Sequence, residues 1–184
     1  VELRPDDVEA RYLLGMARNL SGDPEGAIPV LEEIVASRPD YVPAVYALGV
    51  VLSDRPARRE RALALLRRSL EAGWEEADSA YLVGRLLAEE GRLEEAVPAF
   101  RRALDADPDQ MDAHYRLAQA LGRLGRREEA RPHMERFRVL QQRFNEREAR
   151  DKQAKTLRNR LAAELADGRT EEALATVQEM IAAY

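Results

Sequence analysis

The sequence has no cysteine, which excludes a disulfide framework, a thiolate metal site and a cysteine nucleophile, and leaves the redox compartment open. Aromatic residues are scarce at 5%, while 45% of the chain is hydrophobic. Ala and Leu supply most of that share and, with Arg and Glu, are strong helix formers, so the composition is all-α. Long apolar runs are missing too: every run is broken by charge, so no segment can insert across a bilayer. Residues 1–5 do not resemble a secretory signal, and the chain reads as soluble, with the cytoplasm favoured over the periplasm. Lysine is nearly absent, since only Lys152 and Lys155 stand among the 29 basic residues. That bias reflects a GC-rich coding sequence rather than a need for guanidinium.

Signatures of catalysis are also lacking. No phosphate-binding loop, dinucleotide fingerprint, nucleophile elbow or HExxH motif occurs, which argues against an enzyme and against any cofactor. The two histidines, His114 and His133, lie on different predicted helices without a Cys, His or carboxylate pattern at metal-ligand spacing, so packing is expected of them. Paired carboxylates such as Glu94 and Glu95 fall at predicted helix starts, where dipole matching accounts for them.

What the sequence does have is repetition. Gly91-Arg92-Leu93-Glu94-Glu95-Ala96 recurs as Gly125-Arg126-Arg127-Glu128-Glu129-Ala130 and as Gly168-Arg169-Thr170-Glu171-Glu172-Ala173. A looser form stands at Gly22-Asp23-Pro24-Glu25-Gly26-Ala27. The pairs Leu14-Gly15, Leu48-Gly49, Val83-Gly84 and Leu117-Ala118 precede them at spacings of 34, 35 and 34. A fixed period of this size marks a stack of helical hairpins. In each hairpin the first glycine lies inside a helix, at a cost of about 1 kcal/mol relative to Ala, which implies compensation by close helix contact. Ala27, Ala62, Ala96 and Ala130 are expected to face these positions from the second helix. The later glycines Gly22, Gly91, Gly125 and Gly168 are expected to end the first helix in a left-handed cap.

These residues resemble the tetratricopeptide repeat. Val83, Gly84, Leu87, Gly91, Ala96, Phe100, Ala103 and Pro108 stand in register with its signature. The resemblance implies a right-handed α-solenoid of antiparallel helix pairs. It divides the chain into repeats at 8–41, 42–76, 77–110 and 111–144, a helical extension at 145–153 and a degenerate hairpin at 154–184. Residues 1–7 read as the tail of a preceding repeat, and Tyr184 stops before a closing Pro, so the chain is expected to be a piece of a longer array or to bury its ends. Three departures stand out. Asp54-Arg55-Pro56 replaces a capping glycine, and Trp74 replaces a closing Pro and is expected to plug the junction between second and third repeats. In the last hairpin Leu157, Leu161 and Leu165 keep an apolar stripe, but Arg160 stands where the motif wants Leu, so that hairpin is expected to sit offset. Residues 128–167 contain no Gly and one Pro, Pro132, which predicts a long helix.

In the family the inner wall of the solenoid is lined by the first helix of each repeat. Carried over, this makes Tyr12, Tyr46, Tyr81 and Tyr115 a ladder, spaced 34, 35 and 34 residues apart. Met16, Asn19, Val50, Arg85, Arg116, Gln119 and Arg123 join it on the expected binding face for a protein or peptide partner. Tyrosine there suits either partner binding or packing against neighbouring helices. Arg85, Arg116 and Arg123 are suited to a partner carboxylate. The Lys/Asn/Arg clamp by which some family members hold chaperone C-termini is not matched, since only Arg116 fits it. A second reading makes the chain an assembly module that self-associates through its ends, giving a homo-oligomer. Nucleic acid is disfavoured. Residues 126–160 carry twelve basic residues against six acidic ones, but Glu146, Glu148 and Asp151 interrupt the stripe and the net charge is -5.

Overall fold

Local signals in the sequence set the helix ends. In the computed structural model, which describes residues 7–182, the side chain of Asp7 accepts from the N–H groups of Glu9 and Ala10 and starts α1, Val8–Leu20. Asp23 accepts from the Gly26 N–H at 2.9 Å and starts α2, Pro24–Ser37, with Pro in its first turn where no donor is lost. Then follow α3, Val42–Ser53, and α4, Arg59–Glu71, joined through a 3₁₀ turn at Pro56–Arg58. The chain continues as α5, Glu76–Glu89, α6, Leu93–Ala106, and α7, Met111–Arg123. The long helix α8 spans Arg127–Ala166 and α9 spans Thr170–Ala182. No strand occurs among the described residues. Of the repeat tail expected at residues 1–7, only Asp7 is among them, where it caps α1, and Tyr184 lies outside them.

The recurrent glycine turns share one geometry. At Gly91 φ is 81°, the Gly91 N–H reaches the Ala88 carbonyl, and the Arg92 N–H donates back to the Leu87 carbonyl at 2.9 Å. Gly22, Gly125 and Gly168 repeat it, with φ between 72° and 83° and the same six-residue closure. This satisfies carbonyls that a helix end leaves orphaned, and only glycine adopts the conformation without a Cβ penalty.

The molecule divides into two compact units, Val1–Phe137 and Arg138–Tyr184. In the first, α1/α2, α3/α4 and α5/α6 form antiparallel hairpins, and each second helix packs on the next first helix, α2 on α3, α4 on α5 and α6 on α7. First helices also touch one another, α1 with α3, α3 with α5, and α5 with α7, so they share one face of an α-solenoid. Leu31, Leu48, Leu66, Leu86, Phe100 and Leu117 are fully buried between the layers.

Two sequence expectations about this core need correcting. The atoms nearest the helix-interior glycines do not belong to Ala27, Ala62 and Ala96, although all three alanines are fully buried. The glycines face the large side chain about one turn further along: a Cβ on Gly84 would lie 2.7 Å from Phe100, and one on Gly15 or Gly49 would lie 2.9 Å from Leu31 or Leu66. The missing Cβ therefore makes room for a bulky side chain rather than for backbone contact. Nor does Trp74 plug the junction, for it is 37% exposed. Gly73 and Glu75 both take positive φ, and the turn points the Trp74 carbonyl inward. Ser79 Oγ donates to that carbonyl at 2.8 Å and lies 3.2 Å from Ser69 Oγ, both serines being fully buried. A carbonyl turned inward needs a donor, and the Ser79 hydroxyl, backed by that of Ser69, supplies it.

In the second unit the expected stripe is broken. Ala154 and Leu157 are buried with Ala173 of α9, but Leu165 is 58% exposed and Glu164 takes the interior position beside it. Thr176 Oγ1 donates to Glu164 at 2.7 Å and Arg160 Nε donates at 2.8 Å. Arg160 also pairs with Glu179 at 3.2 Å. These bonds, Thr176 first, hold the Glu164 carboxyl below the ordinary carboxylate range. Arg160 thus stands in place of the motif's Leu because a buried carboxylate requires a cation.

Candidate functional site

The residues expected to form the binding face fall on α1, α3, α5 and α7. Tyr12, Met16 and Asn19 of α1, Tyr46 and Val50 of α3, Tyr81 and Arg85 of α5, and Tyr115 and Arg116 of α7 are half-buried, whereas Gln119 and Arg123 are exposed. Spacings of three, four and seven put the residues of each helix on one stripe. The tyrosines do not stack on one another. Tyr12 meets the edge of Tyr41 at 5.8 Å, Tyr81 lies 6.1 Å from Phe100, and Tyr115 lies 5.0 Å from Phe137. Tyr12, Tyr81 and Tyr115 are each braced by another ring, and all four tyrosines keep part of their surface open.

The electrostatics of this face change from end to end. Burial pushes the Tyr46 phenol up to about 12, and the nearby carboxylates of Asp78 and Glu75 add to the shift. Tyr12 is raised by burial, then by Tyr41 and Glu75, and Tyr41 by burial, then by Glu9 and Asp7. Carboxylates therefore crowd the α1–α3 part. Arg85 is already occupied, donating to Ser53 Oγ at 2.7 Å and to Asp54 at 3.0 Å. The end of α3 claims the guanidinium that the sequence suggested for a partner.

Between the C-terminal end of α5, the Gly91 turn and α7 lies a cavity of about 720 Å³. Ala88, Glu89, Glu90, Leu93, Arg116, Gln119 and Arg123 are among the residues that line it. Gln119 Nε2 donates to the Tyr115 hydroxyl at 2.8 Å, tying this lining to the tyrosine stripe. Glu89 pairs with Arg59 at 3.0 Å and Glu90 with Arg92 at 3.2 Å.

The two histidines, expected only to pack, meet at the base of the fourth hairpin. His114 Nε2 lies 3.0 Å from the Pro108 carbonyl, and His114 Nδ1 lies 3.0 Å from His133 Nδ1. A carbonyl can only accept, so His114 carries its proton on Nε2, and its bare Nδ1 accepts the Nδ1–H of His133. No group of three His, Cys, Asp or Glu side chains able to hold a metal occurs among the described residues. The signal in the sequence was present, since His114 and His133 lie on paired helices, but helix phase alone does not reveal a ring-to-ring bond. Burial lowers the His133 pKa below 6.5, helped by His114 and Arg101 and opposed by Glu129. A depressed histidine pKa contributes stability that is present in full above about 6.5 and is lost as pH falls through the folded value. The fourth hairpin is thus expected to lose hydrogen-exchange protection between pH 7.5 and pH 5, and His133→Phe is expected to flatten that dependence. An equally steep dependence in the variant would place the sensitivity elsewhere.

No helix among the described residues is long and apolar enough to cross a membrane. Comparison with known families matches a TPR repeat model over residues 84–125 and tetratricopeptide repeat models over residues 1–52 and 112–140. Among solved structures, MamA from AMB-1 is 29% identical with a TM-score of 0.64, over 73% of this chain and 78% of that one. The MamA fragment from residue 41 to the end of Desulfovibrio magneticus RS-1 is 27% identical with a TM-score of 0.67, over 75% and 77%. A further MamA crystal structure, at 22% identity and a TM-score of 0.70 over 77% and 82%, shows likeness of fold. No curated protein matches the chain.

Proposed function

Since the chain belongs to the tetratricopeptide repeat family and is a protein-interaction scaffold, we propose that it binds a peptide, helix or protein surface on the face shared by α1, α3, α5 and α7. The observation that carries this reading is the half-buried stripe of Tyr12, Tyr46, Tyr81 and Tyr115, three of them braced by a second ring, which runs into an open cavity. Braced aromatics lose little entropy on binding and combine apolar area with one hydroxyl, which suits a protein partner. The repeats at 8–41, 42–76, 77–110 and 111–144 would each contribute one step of that surface, and the scaffold would act without catalysis of its own. Affinity capture from cell extract with the wild-type chain beside Val50→Lys tests it. The variant is expected to lose the captured protein while keeping its helical circular dichroism. Capture of the same protein in the same amount by the folded variant would remove the binding site from this face.

A second reading, self-association, is favoured by the exposed apolar row Leu174, Val177 and Ile181 on α9, with exposures of 64%, 36% and 73%. Three such residues on one helix face mark an interaction surface more often than a solvated one. A solution mass by light scattering that rises with concentration, and no longer does so in Leu174→Glu, would support it.

A further inference from the structure

Resting on the reading above, we propose that the cavity between α5 and α7 takes an acidic segment of the protein partner, with two of its carboxylates paired to Arg116 and Arg123. Four of the residues that line the cavity are charged: Glu89, Glu90, Arg116 and Arg123. The two glutamates are neutralised from within, by Arg59 and Arg92, and the neighbouring Arg85 is held by Asp54. Arg116 and Arg123 have no ion pair among the described residues, so the cavity keeps two uncompensated positive charges. Ala88, Leu93 and Ala120 form its apolar wall, and low-dielectric walls around a concave surface focus the field of such charges outward. Each guanidinium presents a planar fork that fits a carboxylate with two parallel hydrogen bonds.

The spacing selects the ligand class. Seven residues on one helix separate the two arginines by two turns, roughly 10 Å along the axis, with Gln119 between them on the same side. Two anionic groups on an extended or helical segment match that separation, and one small anion does not. A nucleic-acid backbone is disfavoured by the rest of the face, where Glu75 and Asp78 lie near Tyr46 and would repel evenly spaced phosphates. The same polarity fixes a direction: the acidic part of the segment lies over α7, and its neutral or basic part continues over Tyr81 and Tyr46.

The experiment uses a random dodecapeptide phage library as probe, selected against the whole wild-type chain. The selected peptides are then tested on Arg116→Gln/Arg123→Gln and on Tyr46→Ala/Tyr81→Ala, each checked by circular dichroism. Arg116 is half-buried and Arg123 exposed, so the arginine variant is expected to fold. The expected result is a pool enriched in Asp and Glu pairs, whose binding falls at least about tenfold in the arginine variant. It is also expected to weaken steadily between about 50 and 300 mM salt. Replacing the paired acids of the best peptide by their amides should weaken binding to the wild type equally, with no further loss on the arginine variant. Selected peptides that lack acidic enrichment but depend on Tyr46 and Tyr81 would overturn this proposal and leave the binding face standing. Peptides that depend on neither pair would overturn both. Tight competition by inorganic phosphate or by single-stranded oligonucleotide would overturn the acidic segment in favour of another anion.

Discussion

Gly84→Leu is expected to destabilise the third hairpin by about 1–3 kcal/mol, the usual cost of overpacking a filled core. Even the first added carbon would stand 2.7 Å from the Phe100 ring, which is itself fully buried and has no room to retreat. In stacked repeats each hairpin draws its stability from itself and its neighbours, so α3 to α7 should loosen before the rest. Hydrogen exchange resolved along the chain checks this, because a global shift in melting would not locate the damage. Combining the change with Phe100→Leu should recover part of the loss, since the ring is the obstacle. Recovery by a change at Ala96 instead would show that the close contact lies where the sequence motif alone suggested it.

Replacing Tyr46 and Tyr81 together by Ala is expected to weaken partner binding by at least about thirtyfold. Central aromatic anchors contribute about 2 kcal/mol or more each, and about 2 kcal/mol in total already gives that factor if the two effects add only in part. Tyr81 also rests on Phe100, so some loss of stability accompanies the change. Binding and helicity measured on the same samples separate the two effects. A fall in binding that merely follows the folded fraction would make these tyrosines packing residues.

The parts of this molecule that repeat were legible before any coordinates. Gly22, Gly91, Gly125 and Gly168 announced helix ends because a positive φ and a six-residue closure demand glycine, and local chemistry of that kind leaves a mark at one position. Residues 128–167 announced a long helix for the same reason, through the breakers they lack, and α8 spans Arg127–Ala166. Contacts across helices were less legible. That Gly84 faces Phe100 rather than Ala96 depends on how far one helix slides along the other, which a signature of residue types does not encode. The Ser69–Ser79 pair under Trp74 and the Thr176–Glu164–Arg160 cluster were missed because small or charged residues in a repeat read as surface until a buried carbonyl or carboxylate is seen beside them. On the binding face the sequence supplied the stripe of tyrosines. It did not show that Arg85 is bound to Asp54 while Arg116 and Arg123 line an open cavity, since that division follows from side-chain geometry alone.

The central claim is that the first-helix face binds the partner, and crosslinking tests it most directly. A photoreactive residue is placed at Asn19 or Gln119 on that face, or at Glu33 or Arg68 on second helices, all four replaced singly in the whole chain. With the captured partner present, crosslinks are expected from positions 19 and 119 and not from 33 and 68, because a segment lying along α1, α3, α5 and α7 passes within a few ångströms of the first pair only. Crosslinks confined to positions 33 and 68 would contradict the account and put the partner on the opposite side.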